Sequence, residues 1–297
     1  MSLKSNPLTR GKKQKARVLL QHNQLAEALP LLEQVCRADQ RDAQAWFMLA
    51  ATYQKLGVHV QAAETYRRVI ALEPQHAEAR YYFGNTCLAL GDRANALAAY
   101  RDAIRLQPDY LDAYVNLGAL LEVQKDFAAA ETCYRQALHL DPRNAELHFN
   151  LGNMLQSQGK PAEAVKFYRQ TIALRPDYAA AHNNLGNALA RLEQHDESLA
   201  CYRQALKLEP RLAAASNNMG NTYARQRCFK EAIACYQRAL AIDPRYAEAQ
   251  TNLGNIQRYQ GKLGESIASH CRAIEFNPNY PDAHFNLALI YLLTGNF

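Results

Sequence analysis

Seven prolines divide the chain into segments of equal length, and this spacing constrains the fold more than any other feature of the sequence. They occur every 34 residues, at Pro74, Pro108, Pro142, Pro176, Pro210, Pro244 and Pro278. A constant period of this length is typical of supersecondary units that stack on one another. When each segment is numbered so that its proline is position 32, the segments align from residue 9 onward without an insertion.

Each segment contains two groups of columns with the spacing of a helix face. Position 7 is apolar and position 8 is small, while positions 20 and 24 hold alanine or serine and then tyrosine. A polar break near position 15, often glycine, separates the two groups. We therefore predict a hairpin of helix A and helix B in each segment, which ends at the proline because proline cannot continue helix B. Position 8 consists of Ala50, Gly84, Gly118, Gly152, Gly186, Gly220, Gly254 and Ala288. We expect these small residues to let helices A and B approach closely.

At these columns the chain resembles the tetratricopeptide repeat (TPR) family, whose pattern is W-x-x-L-G-x-x-Y, then A, F and P, over about 34 residues. The resemblance extends from about residue 9 to residue 297. It implies an all-α fold, namely a right-handed superhelical α-solenoid of 34-residue helix hairpins. It also implies that the chain binds other proteins.

The same alignment predicts four parts. Residues 1–8 form a basic N-terminal arm, and 9–42 form a degenerate capping repeat with lysines in otherwise apolar columns. Residues 43–280 form seven TPR repeats, and 281–297 form helix A of an incomplete ninth repeat. The apolar side chains of this last helix, from Leu287 to Leu293, have no following hairpin to cover them. This indicates either a piece of a longer protein or a surface for self-association.

Asparagine recurs in two columns of helix A, although it is a poor residue for the middle of a helix. Position 6 consists of Asn116, Asn150, Asn184, Asn218, Asn252 and Asn286. Position 9 contains Asn85, Asn153, Asn187, Asn221 and Asn255. Because the columns are three residues apart, the eleven side chains share one face.

Two interpretations of these asparagines remain open. Each carboxamide offers a donor and an acceptor, so that two rows along a concave groove match the backbone of an extended peptide. Alternatively, the amides bond only between neighbouring helices. We predict the peptide-binding site, and we expect exposed side chains, so that Asn184→Ala with Asn218→Ala leaves folding unchanged.

Together with the segments ACYRQALKLEP and AIACYQRALAIDP, the asparagine columns resemble the repeat region of O-linked N-acetylglucosamine transferases and Spindly-type proteins. That resemblance implies that the position 6 asparagines contact a polypeptide substrate. Two functional hypotheses follow. The chain is a scaffold that binds extended polypeptide, or it is the substrate-recognition region of a larger glycosyltransferase whose catalytic domain is not in this sequence.

Composition and motifs argue against other classes of function. The formal charge of +6 comes from six basic residues that precede Glu27, so the rest of the chain is neutral and we expect no nucleic-acid partner. No phosphate-binding loop or metalloprotease motif occurs, and the seven cysteines include no C-x-x-C pair. We therefore predict no cofactor, no metal and no catalysis by this chain, and we interpret His148, His182 and His284 as packing residues. No signal peptide or membrane-spanning run is evident, which predicts a cytoplasmic protein with no membrane partner.

Overall fold

The computed structural model describes residues 7–295, in which every regular element is an α-helix and the helices pair as hairpins. The all-α helical repeat fold expected from the sequence is therefore confirmed. The chain divides into two units, residues 1–142 and 143–297. Most of the expected N-terminal arm lies outside the described residues, and the first helix begins at Pro7.

The first unit contains four hairpins. Its helices are α1 (Pro7–Gln21), α2 (Leu25–Ala38), α3 (Ala43–Lys55), α4 (His59–Leu72), α5 (Ala77–Ala89), α6 (Arg93–Leu106), α7 (Leu111–Val123) and α8 (Phe127–Leu140). Odd-numbered helices are the A helices, and even-numbered ones are the B helices. Lys13 joins the first hairpin to the second through an ion pair of 2.7 Å from its Nζ to Asp42, which also caps α3.

The second unit contains four hairpins and one further helix. Its helices are α9 (Ala145–Ser157), α10 (Pro161–Leu174), α11 (Ala179–Arg191), α12 (His195–Leu208), α13 (Ala213–Arg225), α14 (Phe229–Ile242), α15 (Ala247–Tyr259), α16 (Leu263–Phe276) and α17 (Pro281–Thr294). Within this unit each A helix packs against its own B helix and also against the next A helix. The five A helices therefore form one continuous face.

The break between helices A and B is a left-handed turn at position 15. Gly57, Gly91, Gly159 and Gly261 have φ between 74° and 78°. The same conformation occurs in four residues that carry a side chain, namely Asn23, Lys125, Glu193 and Arg227, with φ from 57° to 63°. Glycine adopts this region without strain, which explains its presence at half of these turns.

Position 8 is where the two helices of a hairpin approach most closely. A Cβ atom built on Gly186 would lie 2.6 Å from Cε1 of Tyr202, and one on Gly220 would lie 2.6 Å from the same atom of Tyr236. The position 24 tyrosines are among the largest fully buried side chains of the protein. The glycine column therefore exists to admit the tyrosine ring, which confirms the predicted close approach and identifies the partner.

Buried serines replace alanine at position 20 in two repeats without leaving a polar group unpaired. Ser198 Oγ donates a 2.8 Å hydrogen bond to the carbonyl of Gly186, and Ser266 Oγ donates a 2.7 Å bond to that of Gly254. These bonds offset the cost of burying a hydroxyl group. They also fasten helix B to the glycine of helix A.

An asparagine-lined face of the A helices

Asparagines of neighbouring repeats bond directly to one another on the A helices. The Nδ2 group of Asn116 donates to Oδ1 of Asn85 at 2.9 Å in the first unit. In the second unit, Asn184 donates to Asn153 at 2.8 Å, and Asn252 donates to Asn221 at 2.9 Å. Each bond runs from position 6 of one repeat to position 9 of the preceding repeat. We call this series the asparagine ladder.

In four repeats the buried tyrosine also donates to the position 9 oxygen. Tyrosine Oη lies 2.7–2.9 Å from the position 9 Oδ1 in the four pairs Tyr100–Asn85, Tyr168–Asn153, Tyr202–Asn187 and Tyr236–Asn221. Burial raises the pKa of Tyr202 to about 12, so its hydroxyl stays protonated and donates at neutral pH. The tyrosine thus fixes which way the carboxamide points.

Two repeats in the first unit lack the position 9 asparagine, and their tyrosines use position 12 instead. Ala51 and Ala119 occupy position 9 in these repeats. Tyr66 Oη donates to Gln54 Oε1 at 2.8 Å, and Tyr134 Oη donates to Glu122 Oε2 at 3.2 Å. Because a buried hydroxyl group needs a partner, the sequence supplies one from the next turn of the same helix.

The expectation that the asparagines are exposed is wrong. All eleven predicted site residues are only partly exposed. Asn218 also has a partner, since its Nδ2 donates to Oδ1 of Asn183 at 3.1 Å. Asn184→Ala with Asn218→Ala would therefore remove bonds between repeats, so the double substitution is not neutral for folding. The alternative interpretation, that amides bond between helices, is confirmed for Asn116, Asn184, Asn218 and Asn252.

The inter-repeat bonds leave a regular set of amide atoms without a protein partner. Within the described residues, no protein acceptor takes the Nδ2 protons of the position 9 asparagines Asn85, Asn153, Asn187 and Asn221. At position 6, the Oδ1 atoms of Asn116, Asn218 and Asn252 likewise accept no bond from the protein there. The face therefore presents alternating free donors and acceptors whose orientation is already set.

The ladder stops in the last complete repeat. His270 occupies the tyrosine column there, and both of its buried ring nitrogens lack a hydrogen-bond partner. The Oδ1 atom of Asn255 is also buried and unpaired, and Asn286 makes no ladder bond in the part of the chain that the structure describes. Burial, followed by the nearby charge of Arg258, lowers the pKa of His270 to about 4, so the ring is neutral at pH 7. Asn150 likewise makes no ladder bond among the described residues.

Aromatic side chains that the sequence analysis did not assign to the site lie at positions 5 and 34 of three repeats. Their ring centroids are 4.9 Å apart for Phe47–His76, 4.9 Å for Tyr81–Tyr110 and 4.8 Å for Phe149–Tyr178. Tyr81 touches the ladder, because its Oη accepts a 3.2 Å bond from Asn116. Position 5 is an asparagine in two later repeats, at Asn183 and Asn217.

Two adjoining cavities lie on the A-helix face of the second unit. The first has a volume of about 240 Å³ and is lined by Asn187, Asn218, Asn221, Arg191, Arg225 and neighbouring side chains. The second has a volume of about 650 Å³ and shares Asn221 and Arg225 with the first. It adds Asn252 and Asn255 from the ladder together with the apolar side chains of Phe229, Ile256 and Tyr259. Five of the eleven predicted site residues therefore line open space.

The histidines of position 4 have a more specific role than packing. His182 and His284 place Nε2 at 3.0 Å and 2.8 Å from the carbonyl oxygens of Pro176 and Pro278, six residues earlier in the chain. Trp46 Nε1 donates in the same way to the carbonyl of Gln40. The column therefore secures the turn that precedes helix A.

The remaining polar groups do not form a recognisable catalytic or metal site. No cluster of histidine, cysteine and carboxylate side chains within the described residues has the arrangement of a metal site. Cys36, Cys87 and Cys133 are buried, and burial raises the pKa of Cys133 to about 11, which keeps this thiol protonated. None of the described helices combines the length and the apolar character needed to cross a membrane.

These repeats and their hairpin packing place the chain among the tetratricopeptide repeat proteins. Models described as tetratricopeptide or TPR repeats match residues 13–77, 152–193, 179–212, 213–246, 235–268 and 254–295. The model of the middle TPR-like domain of cilia and flagella-associated protein 70 matches residues 47–150. The chain is thus a TPR protein, a class of non-catalytic helical repeat that serves as a protein-interaction scaffold.

Solved TPR structures are similar to this chain in fold. The crystal structure of YrrB, described as a TPR protein with an unusual peptide-binding site, is 25% identical, covers 63% of this chain and 96% of its own, and has a TM-score of 0.55. The C-terminal part of a TPR repeat-containing protein from Cytophaga hutchinsonii is 16% identical, with a TM-score of 0.70 over 81% of this chain and 99% of that one. MamA is 23% identical, with a TM-score of 0.50 over 55% of this chain and 95% of its own. No curated protein matches the chain at a significant level.

Proposed function

We propose that the chain is a scaffold that binds protein partners as extended polypeptide along the asparagine ladder. The observation that carries this proposal is that the position 9 amide donors, and the Oδ1 acceptors of Asn116, Asn218 and Asn252 at position 6, have no partner among the described residues. An extended peptide presents the complementary series, because its N–H and C=O groups point alternately to opposite sides. Contacts of this kind are to the backbone, so they impose little selection on ligand sequence.

The inter-repeat bonds support binding rather than argue against it. A free asparagine side chain would lose rotamer freedom when it captured a ligand, and that loss reduces affinity. The ladder amides have already lost this freedom, because tyrosine and a neighbouring asparagine fix Oδ1 in the native state. Individual hydrogen bonds contribute only about 0.5–1.5 kcal/mol, so several repeats must act together. Affinity in the micromolar range is the expected outcome.

The decisive experiment removes the Nδ2 donor of a position 9 asparagine and keeps the Oδ1 atom that accepts bonds within the protein. Asn85→Asp with Asn153→Asp retains the oxygens that accept from tyrosine and from the neighbouring asparagine, but removes the Nδ2 donors that face outward. Wild type and this variant are screened on an array of random 12-residue synthetic peptides. The strongest binders are then titrated by calorimetry.

The matched control is Asn277→Asp with Asn279→Asp, which makes the same change in charge at two exposed positions outside the ladder. We expect the ladder variant to bind at least tenfold more weakly than wild type, and the control variant to bind as wild type does. Far-UV circular dichroism verifies that both variants are folded. Equal affinity of the ladder variant and wild type would show that the position 9 amides do not contact the ligand.

A larger glycosyltransferase with this chain as its substrate-recognition region is the second hypothesis, and it is tested by transferase assays on the full-length native protein. Such an enzyme would use the same ladder, so the array experiment serves both hypotheses.

A cytoplasmic location remains a prediction from the sequence. Self-association through α17 also remains a prediction; it is consistent with the exposed side chains of Phe285 and Leu292 and is tested by sedimentation analysis.

A further inference from the structure

Two arginines stand beside the ladder in the second unit, at the same position of consecutive repeats. Arg191 and Arg225 both occupy position 13, at the C-terminal end of α11 and α13. Both line the 240 Å³ cavity together with ladder asparagines, and no acidic side chain lines it. The second cavity also contains Arg225 but no carboxylate. This part of the face is therefore positively charged, although the chain from Glu27 onward is neutral overall.

Both guanidinium groups are held in place by the preceding repeat. Arg191 Nη1 donates to the carbonyl of Gln156 at 3.5 Å, and Arg225 Nη1 donates to the carbonyl of Ala190 at 3.4 Å. Each carbonyl belongs to the last turn of an A helix, where a positive charge is favourable. One N–H group of five is used in this way, and neither arginine forms an ion pair in the described part of the chain. The remaining donors are thus available beside the free ladder amides.

The repeat spacing determines which ligand residues would reach the two arginines. Packed helices lie about 8–10 Å apart, and an extended chain in the polyproline II conformation rises about 3.1 Å per residue with three residues per turn, so that residues i and i+3 lie on the same side. One repeat therefore corresponds to about three residues of an extended ligand. Charges on consecutive repeats would face side chains of ligand residues i and i+3.

We propose that the second unit selects acidic peptide segments, with carboxylates three residues apart that pair with Arg191 and Arg225. This inference rests on the proposed function, because the ladder must hold the peptide backbone. Arginine suits the task, since its planar fork matches the geometry of a carboxylate. The second cavity adds a preference for a large apolar ligand residue one repeat further, beside Phe229 and Tyr259, whose rings are stacked with centroids 6.1 Å apart.

The test uses synthetic peptides that differ only in charge. The acidic probe is acetyl-GSDGSDGSLGS-amide, and its neutral partner carries asparagine at both aspartate positions. The reversed sequence, acetyl-SGLSGDSGDSG-amide, covers the opposite chain direction. Affinities are measured by fluorescence anisotropy at low and at physiological ionic strength.

The protein variants separate a specific site from general attraction. Arg191→Gln with Arg225→Gln removes both charges from the cavity. Arg211→Gln with Arg272→Gln removes two charges from exposed positions that line neither cavity. The two variants have the same net charge, so any difference in their affinities is due to where the charges were removed and not to how many were removed.

We expect wild type to bind the acidic probe about tenfold more tightly than the neutral probe at low ionic strength, a difference of about 1.4 kcal/mol. This preference should shrink as salt is added, disappear in Arg191→Gln with Arg225→Gln, and persist in the control variant. Equal binding of the two probes by wild type overturns the inference and leaves the proposed function intact. Binding of neither probe by any form overturns both. A single-stranded oligonucleotide of equal charge that binds as tightly as the acidic probe would also overturn the choice of peptide.

Discussion

Replacing Gly186 by alanine places a methyl carbon where a buried tyrosine ring already lies. The added Cβ would be 2.6 Å from Cε1, 2.9 Å from Cδ1 and 3.0 Å from Cζ of Tyr202. The ring has no room to retreat, because Tyr202 is 1% exposed and its hydroxyl is bonded to Asn187. Helices α11 and α12 must therefore separate, or the ring must leave its position.

The expected cost combines three effects of known size. Alanine gains about 1 kcal/mol of helix propensity over glycine, which favours the variant. Overpacking a rigid core costs about 1–3 kcal/mol, and the weakened Tyr202–Asn187 bond costs about 1 kcal/mol. We expect Gly186→Ala to lower the free energy of unfolding by about 2 kcal/mol. The assay is equilibrium unfolding in urea, followed by far-UV circular dichroism.

Two controls isolate the steric cause. Gly11→Ala in α1 has nothing within 4 Å of the added carbon, so it should stabilise the protein by up to about 1 kcal/mol through propensity alone. In a Tyr202→Leu background, which removes the ring, the further change Gly186→Ala should cost little or nothing. A Gly186→Ala protein as stable as wild type would refute the explanation of the glycine column.

Three further predictions concern other groups of the same scaffold. Tyr202→Phe removes the tyrosine donor of Asn187 and should lower the free energy of unfolding by about 1 kcal/mol, measured in urea; an unchanged midpoint would show that the hydroxyl adds nothing to stability. His270 binds a proton near pH 6.5 when unfolded but only near pH 4 when folded, so the free energy of unfolding should fall by at most about 3 kcal/mol as the pH drops through that interval. His270→Tyr should stabilise the protein, supply a donor toward Asn255 and flatten the pH dependence of the melting temperature. A variant with the same pH profile as wild type would contradict this role of His270. Exposed Cys271 should react with a thiol reagent before the buried Cys36 and Cys133. Burial raises the pKa of Cys36 to about 12 and that of Cys133 to about 11, so both thiols stay protonated and unreactive. Mass spectrometry of partly labelled protein gives the order of reaction.

The hairpins and the glycine column could be predicted from the sequence because both follow from spacing along one chain. A period of 34 residues fixes the repeat, and a helical face fixes which columns are buried. A close approach of helix B to Gly186 could be predicted, because a small residue on a helix that faces another helix implies close packing. That the approaching side chain is the ring of Tyr202 could not be predicted, since either helix offers several large side chains.

The hydrogen bonds of the asparagines could not be predicted in the same way. Asn184 and Asn153 are 31 residues apart, and whether their amides meet depends on how far one hairpin rotates relative to the next. From the sequence alone, the donor and the acceptor of each carboxamide are therefore expected to be equally free. In the structure, one half of the carboxamide is used internally in Asn85, Asn116, Asn153, Asn221 and Asn252, which leaves a different and more ordered set of atoms for a ligand.

The two ends of a ladder bond should give different NMR signals, because only one of the two Nδ2 groups donates to a protein acceptor. In Asn116, one or both Nδ2 protons are held by Asn85 and Tyr81, whereas those of Asn85 have no protein acceptor in the described residues. Hydrogen-bonded amide protons resonate and exchange differently from solvated ones, so the side-chain signals of the two columns should separate in a ¹H–¹⁵N spectrum. Every ladder bond thus joins a pair of reporters, one whose Nδ2 group donates within the protein and one whose Nδ2 group has no protein acceptor among the described residues. A ligand that covers only part of the array would shift only the outward reporters of the repeats it touches, so its footprint could be mapped to single repeats without any added label.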